Sequence, residues 1–387
     1  MTTLVSGNFY KSCMQDSPSV PNGARRVLVT TPSLSKPGGV AQYMSVLEPY
    51  LDGHVEYFTV GARSDCENPV ATAGRLLRDS WRFACTVRRG RYDLVHLNPS
   101  LGPKALLRDG LLLLIGKAMQ KPVVVFVHGW DKAFWCGLLR RWSWLFRWVY
   151  DRADAFIVLA SECERGLRLL GCSRPVFLQT APVEDRLLQV TPRCENRFRA
   201  AESGSPINIL FLARVEKEKG IYEALDAYQI LRRQYRFLSL TIAGDGSELA
   251  SARQYAAAYS LDGVRFTGRV AGSAKQEAYQ SSDIYLFPSH GEGLPLSVLE
   301  AMACGLPIVS CMVGGLPDFF RNGTMGFLAD SRDPQGLAVL LRHLIDNPKL
   351  RARMSEFNRR YARNKFNGPR LAARLERVYR FVLAGSH

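Results

Sequence analysis

No run of apolar residues in this 387-residue chain reaches the ~18 that a membrane-spanning helix needs. The nearest, Leu111 to Ile115, is bracketed by Arg108, Asp109 and Lys117, so it reads as a buried element of a water-soluble fold. Met1 to Asn22 lacks the basic-then-apolar pattern of a secretory signal and reads as a polar tail. The nine cysteines are an odd number, spread from Cys13 to Cys311 without one C-x-x-C pair. That spacing argues against a zinc site and a disulfide framework, and for a reducing compartment. Nor is there a D-x-D sequence, the carboxylate pair that often holds a divalent ion against a phosphorylated substrate. The expectation is a cytoplasmic protein with no metal site. At 47% apolar and 22% charged residues the chain is too apolar to be disordered, and its length suits two domains.

Acidic residues are in short supply. Lys and Arg number 51 against 35 Asp and Glu, a net charge of +16, which points to a polyanionic partner: nucleic acid, an anionic membrane or a phosphorylated substrate. The distribution narrows this. Residues 1–190 hold 24 basic and 16 acidic side chains, residues 351–387 hold 10 and 2, and the segment between them is neutral with 17 of each. No helix-turn-helix, zinc-finger or RNP-type signature accompanies the excess, so a nucleic-acid-binding protein is the remote reading.

Short runs rich in Val, Ile, Leu and Phe alternate with longer helical patterns, the signature of parallel α/β units. The first set of strands is read at Arg26–Thr31, Val55–Val60, Leu94–Leu97, Val123–Val127 and Phe156–Leu159. A second set follows at Ile207–Leu212, Ser239–Ala243, Val264–Thr267, Ile284–Phe287 and Ile308–Ser310. Between the sets, Val190 to Pro206 is polar and reads as a linker. The fold class is therefore α/β, with two Rossmann-like doubly wound domains and a ligand in the cleft between them.

The most informative segment is Ser289 to Ser310, SHGEGLPLSVLEAMACGLPIVS. A strand runs into a glycine loop, Pro295 suits a first helical position, and Gly305 with Pro307 stops the helix. Amides of Gly293, Leu294, Leu296 and Ser297 are expected to face the cleft at a positive helix end, suited to hydroxyl or phosphate oxygens. Glu292 and Glu300, eight apart, can address two ends of one elongated ligand.

Glu292-x7-Glu300 in this setting resembles the retaining family 4 glycosyltransferases, which have the GT-B fold. Other pieces match in order: FLARVEKEKG with Arg214 and Lys219, LTIAGDGSEL, VRFTGRV, the loop Lys36-Pro37-Gly38-Gly39-Val40, and His128-Gly129 at a strand end. The resemblance implies that Arg214 and Lys219 clamp a diphosphate with help from backbone at Gly38 and Gly39. It also implies that Glu292 meets sugar hydroxyls, Glu300 meets ribose hydroxyls, and His128 lies near the sugar. The stretch Thr267 to Ala271, with Val270, would border the base. Gln179-Thr180-Ala181-Pro182 departs from the family's usual Asn-Gly. By this likeness residues 1–190 hold the acceptor and 191–367 a UDP- or GDP-linked sugar, while the last helix, 368–387, packs back onto the first domain. The implied reaction moves a hexose or N-acetylhexosamine, without metal or other cofactor, to a lipid-linked saccharide or polysaccharide. A soluble acceptor is the alternative.

Phe134 to Tyr150, FWCGLLRRWSWLFRWVY, interleaves aromatic residues with arginines. It reads as a basic helix that docks on an anionic membrane surface through Trp135, Arg140, Arg141, Trp144 and Arg147. Burial of its apolar residues in the core is the competing reading. Docking would place the protein peripherally on the inner face of the cell membrane.

Overall fold

The computed structural model describes residues 25–34, 38–51, 55–61, 69–99, 102–129, 132–190 and 206–385. The polar tail, Lys36, Pro37, most of the linker and residues 386–387 lie outside them.

Among the described residues twelve strands form two six-stranded sheets, and every pairing between them is parallel. The first contains β1 (Val27–Thr31), β2 (Val55–Thr59), β3 (Leu94–Leu97), β4 (Val123–Val127), β5 (Ala155–Val158) and β6 (Val176–Leu178), in the order β2-β1-β3-β4-β5-β6. The second contains β7 (Ile207–Leu212), β8 (Leu238–Ala243), β9 (Val264–Gly268), β10 (Ile284–Phe287), β11 (Ile308–Cys311) and β12 (Gly326–Ala329), in the order β12-β11-β10-β7-β8-β9. Strands such as Val123–Val127, buried at all five positions, are covered by helices on both faces, which is why they read as unbroken apolar runs. The two sheets and their helices make the two-domain Rossmann-like architecture expected from the alternation.

Strand order fixes where a ligand goes. The order reverses between β1 and β3 in the first sheet and between β7 and β10 in the second. At such a reversal the helices after neighbouring strands leave on opposite faces, opening a crevice at the carboxyl ends.

Chain topology ties the domains together. The last helix, Gly368–Ala384, follows the helix Pro348–Lys365 of the second domain yet packs on the first. The Tyr379 hydroxyl lies 2.6 Å from His96 Nδ1, Phe177 and Phe381 meet edge to face at 5.3 Å, and the Gln179 amide donates to the Leu371 carbonyl. One hydrophobic cluster consequently runs through both domains, joining Val27 and Phe126 to Leu299, Leu371 and Val382. Two further clusters fill the far sides of the two sheets.

Candidate active site

A cleft of about 540 Å³ lies between the domains, lined by residues of both. From the second domain it takes Arg214 after β7 and Glu292 after β10, which flank that sheet's point of reversal. From the first domain it takes Gly38 after β1 and Gln42 on the helix Gly39–Leu47.

Lys219 and Glu292 form the centre of this arrangement. The Lys219 Nζ donates to Glu292 Oε1 at 2.6 Å, and Ser289 Oγ donates to the same oxygen at 3.0 Å. Gly220 allows it. Its φ of +78° is left-handed, and a Cβ there would sit 2.1 Å from the Pro288 carbonyl oxygen. Only glycine lets the turn carrying Lys219 press against the loop carrying Glu292. Arg214 also lines the cleft, but its side chain is 69% exposed and its Nη1 pairs with Glu216 at 2.5 Å.

Glu300 lies deeper. The helix Leu296–Ala303 points it inward, where it is buried and receives three hydrogen bonds. Gln42 Nε2 and Lys275 Nζ donate to its Oε1 at 2.8 and 2.7 Å, and the Tyr279 hydroxyl donates to its Oε2 at 2.9 Å. Lys275 also donates to Glu184 Oε1 at 3.0 Å. Burial by itself would pull the Lys275 ammonium down; Glu300 and Glu184 outweigh it and hold the pKa above its ordinary value. Burial likewise would raise the Glu184 carboxyl, and the Lys275 and Arg186 charges bring it below the usual range. Neither Lys275, Tyr279, Gln42 nor Glu184 stood out in the sequence. A signal existed: Lys275 and Tyr279 sit four apart on the helix Gly272–Gln280, and both face the interior.

His128 follows β4 and stacks on Phe126 with centroids 4.0 Å apart. Its Nε2 lies 2.7 Å from Asn98 Oδ1. Asn98 Nδ2 donates to the Thr30 carbonyl, which turns the amide oxygen toward the histidine. Nε2 must then carry the proton, leaving Nδ1 as the acceptor of the neutral ring. Burial, with a smaller effect from His96, pushes the pKa down to about 3, so the ring is uncharged at neutral pH.

Of the remaining donor residues expected from the sequence, Val270, Leu296 and Ser297 line the cleft with Gly38. Gly39, Gly293 and Leu294 do not. Gly39 is the first residue of its helix. A Cβ on Gly293 would lie 2.7 Å from the His128 carbonyl oxygen, so this glycine is where the two domains touch. Leu294 is buried in the cluster that spans both domains. Pro295 sits at the cap rather than at the first helical position, and the helix starts at Leu296. Among the described residues no three His, Cys, Asp or Glu side chains gather to hold a metal ion.

The aromatic segment needs correction on two points. It is two helices, Lys132–Arg141 and Ser143–Tyr150, broken at Trp142, where φ is −133° and ψ 14°. Trp135 is 2% exposed and packs edge to face on Phe146 at 5.4 Å, so it belongs to the core and not to a docking face. Trp144, at 66% exposure, stands in solvent with Trp142, Trp148, Arg140, Arg141 and Arg147. Among the described residues no helix is long and apolar enough to cross a membrane.

Comparison with known proteins agrees with this geometry. A model for "Glycosyltransferase Family 4" matches residues 39–178, and one for "Glycosyl transferases group 1" matches 192–361. The glycogen synthase of Mycobacterium tuberculosis is 32% identical over 178 residues, 45% of this chain and 42% of that protein. The chain thus spans about two fifths of that relative's length. The N-acetyl-alpha-D-glucosaminyl L-malate synthase of Bacillus anthracis is 28% identical over 304 residues, 78% of each chain. Among solved structures, Anabaena HepE in complex with UDP and glucose superposes with a TM-score of 0.71 at 19% identity, covering 92% of this chain and 99% of that one. The two family models fall in chain order on the two sheets, and the two-domain Rossmann-like architecture is the GT-B fold of the solved structure it superposes on.

Proposed function

We propose that the protein is a retaining, metal-independent glycosyltransferase that moves a hexose or N-acetylhexosamine from a UDP- or GDP-sugar to a lipid-linked saccharide or polysaccharide at an anionic membrane face. The observation that carries the reading is the Lys219–Glu292 pair in the interdomain cleft, beside the point where the second sheet reverses. Breaking the anomeric C–O bond leaves a nucleoside diphosphate with additional negative charge and an oxocarbenium-like sugar. The Lys219 ammonium and the Arg214 guanidinium supply fixed positive charge where the leaving group develops its own, the part a divalent ion plays elsewhere. Glu292 accepts from sugar hydroxyls, and Glu300 accepts from the ribose. His128, neutral and protonated on Nε2, offers Nδ1 as an acceptor for a hydroxyl. Retention follows if the acceptor attacks on the face the diphosphate leaves and gives its proton to that phosphate.

The membrane face rests on the exposed Trp144 and Trp148 with Arg140, Arg141 and Arg147, an amphipathic surface suited to anionic lipid. A polysaccharide acceptor has support in the likeness to glycogen synthase. A soluble acceptor is the second reading, favoured by the longer match to a synthase of a glucosaminyl malate. A thermal-shift panel of UDP-, GDP- and ADP-sugars tests the donor. A ligand at ~100 times its Kd adds ~2.7 kcal/mol of stability. A shift with one UDP- or GDP-sugar is expected; no shift with any member of the panel removes the reading.

A further inference from the structure

The carboxylate of Glu300 is an acceptor-only group, and its contacts in this structure are all with protein. Oε1 is shared by Gln42 of the first domain and Lys275 of the second, and Oε2 is held by Tyr279. Gln42 and Lys275 play different parts. Gln42 is a neutral donor on the opposite wall, lining the cleft where a ligand hydroxyl would enter. Lys275 is a buried cation between two carboxylates, Glu300 and Glu184. Such a cation fixes the direction of a carboxylate and keeps it ionised, because removing it would leave the buried Glu300 without a counter-charge, whereas Glu184 keeps Arg186.

Resting on the donor reading above, we infer that Lys275 is a positioning residue for ribose recognition: it holds the Glu300 carboxylate aimed into the cleft, and a ribose hydroxyl takes the place that Gln42 now fills. Lys275 touches neither sugar nor phosphate in this assignment. It acts through Glu300, and its contact with Glu184 ties the ribose-binding carboxylate to the segment that caps the helix Asp185–Leu188. Substituting it should change how well the protein tells a ribose from a deoxyribose, more than how well it holds a diphosphate. Gln42 competes with the ligand, so its removal should act in the opposite direction.

The test is calorimetric binding of UDP, GDP and their 2′-deoxy analogues to the full-length chain. For the nucleotide that binds, the wild type is expected to prefer the ribonucleotide by about tenfold or more, the worth of a hydrogen bond to a charged acceptor. In Lys275→Met the nucleotide still binds while that preference falls to within about twofold. In Gln42→Leu affinity for the ribonucleotide rises, by about threefold at the strength of one neutral hydrogen bond. Should Lys275→Met not fold, the double variant Lys275→Met/Glu184→Gln removes the surplus carboxylate charge and must show the same collapse. A variant at position 275 that keeps the wild-type preference overturns the assignment while leaving the donor reading intact. Weaker binding in Gln42→Leu, or no ribose preference in the wild type, also overturns it. A wild type that binds neither diphosphate overturns both the assignment and the donor reading.

Discussion

Replacing Glu292 with Gln separates the two functions that the cleft combines. Lys219 and Glu292 hold each other at 2.6 Å with both side chains largely buried, so the ammonium is partly neutralised before any ligand arrives. A hydrogen bond between charged partners is worth ~1.5–3 kcal/mol net. The amide of Gln keeps the shape and can still accept from Ser289 Oγ, but it no longer holds Lys219 as an ion pair. The freed ammonium is then available to a diphosphate. If about half of that net worth is returned as phosphate binding, nucleoside diphosphate affinity rises by up to about tenfold, or ~1.4 kcal/mol. Turnover moves the other way, because the carboxylate that orders the sugar hydroxyls has gone. A loss of ~100-fold or more is expected, similar to removing one preorganised electrostatic partner of a transition state. Calorimetry with UDP and GDP, and turnover of the donor found by the thermal-shift panel, measure the two effects. Glu300→Gln is the control, with weaker nucleotide binding expected. A Glu292→Gln protein with unchanged turnover and weakened nucleotide affinity would refute the reasoning and exchange the roles of the two glutamates.

One buried and one half-buried histidine predict acid sensitivity. Burial pushes His96 and His128 each from 6.5 to about 3, so folding favours their neutral forms. That stability is fully present above pH 6.5 and is lost as pH falls from there toward 3. Between pH 7 and 5 the loss is ~2 kcal/mol for His96 and less for the partly exposed His128. Urea denaturation at both pH values checks it, and a His96→Gln variant whose pH slope matches the wild type would contradict it. Activity is expected to survive EDTA; complete loss restored by Mg²⁺ would show that the cations do not replace a metal. Flotation with liposomes is expected to require anionic lipid and to weaken at least severalfold in Trp144→Ser/Trp148→Ser. Equal binding to neutral vesicles, or none, counts against the membrane face.

How much of this was legible in the sequence depended on whether a residue's role is local or set by partners distant in the chain. Strands buried on both faces gave continuous apolar runs, and the partly exposed edge strands Val55–Thr59 and Val264–Gly268 kept enough β-formers to be read as well, so ten of the twelve described strands were readable. The other two, Val176–Leu178 and Gly326–Ala329, are edge strands of three and four residues, and the second has no β-branched residue. At the site, Glu292 and Glu300 stood out through their spacing on a strand–loop–helix frame, and Arg214 and Lys219 through the resemblance to a known glycosyltransferase family. Lys275 gave no such notice, because a lysine on a surface helix normally reads as solvated. Only the fold shows that its helix turns that face toward both Glu300 and Glu184. Trp135 fails in the opposite sense. Its aromatic and basic neighbours describe an interfacial helix until the chain breaks at Trp142 and rotates one half inward against Phe146. In both cases composition states what a side chain is able to do, and the pairing of distant elements decides whether solvent, a partner charge or the core receives it. A buried cation on a helix that otherwise lines a ligand cleft is therefore a better guide to the unassigned part of the site than the exposed Arg214, whose Glu216 partner lies two residues away.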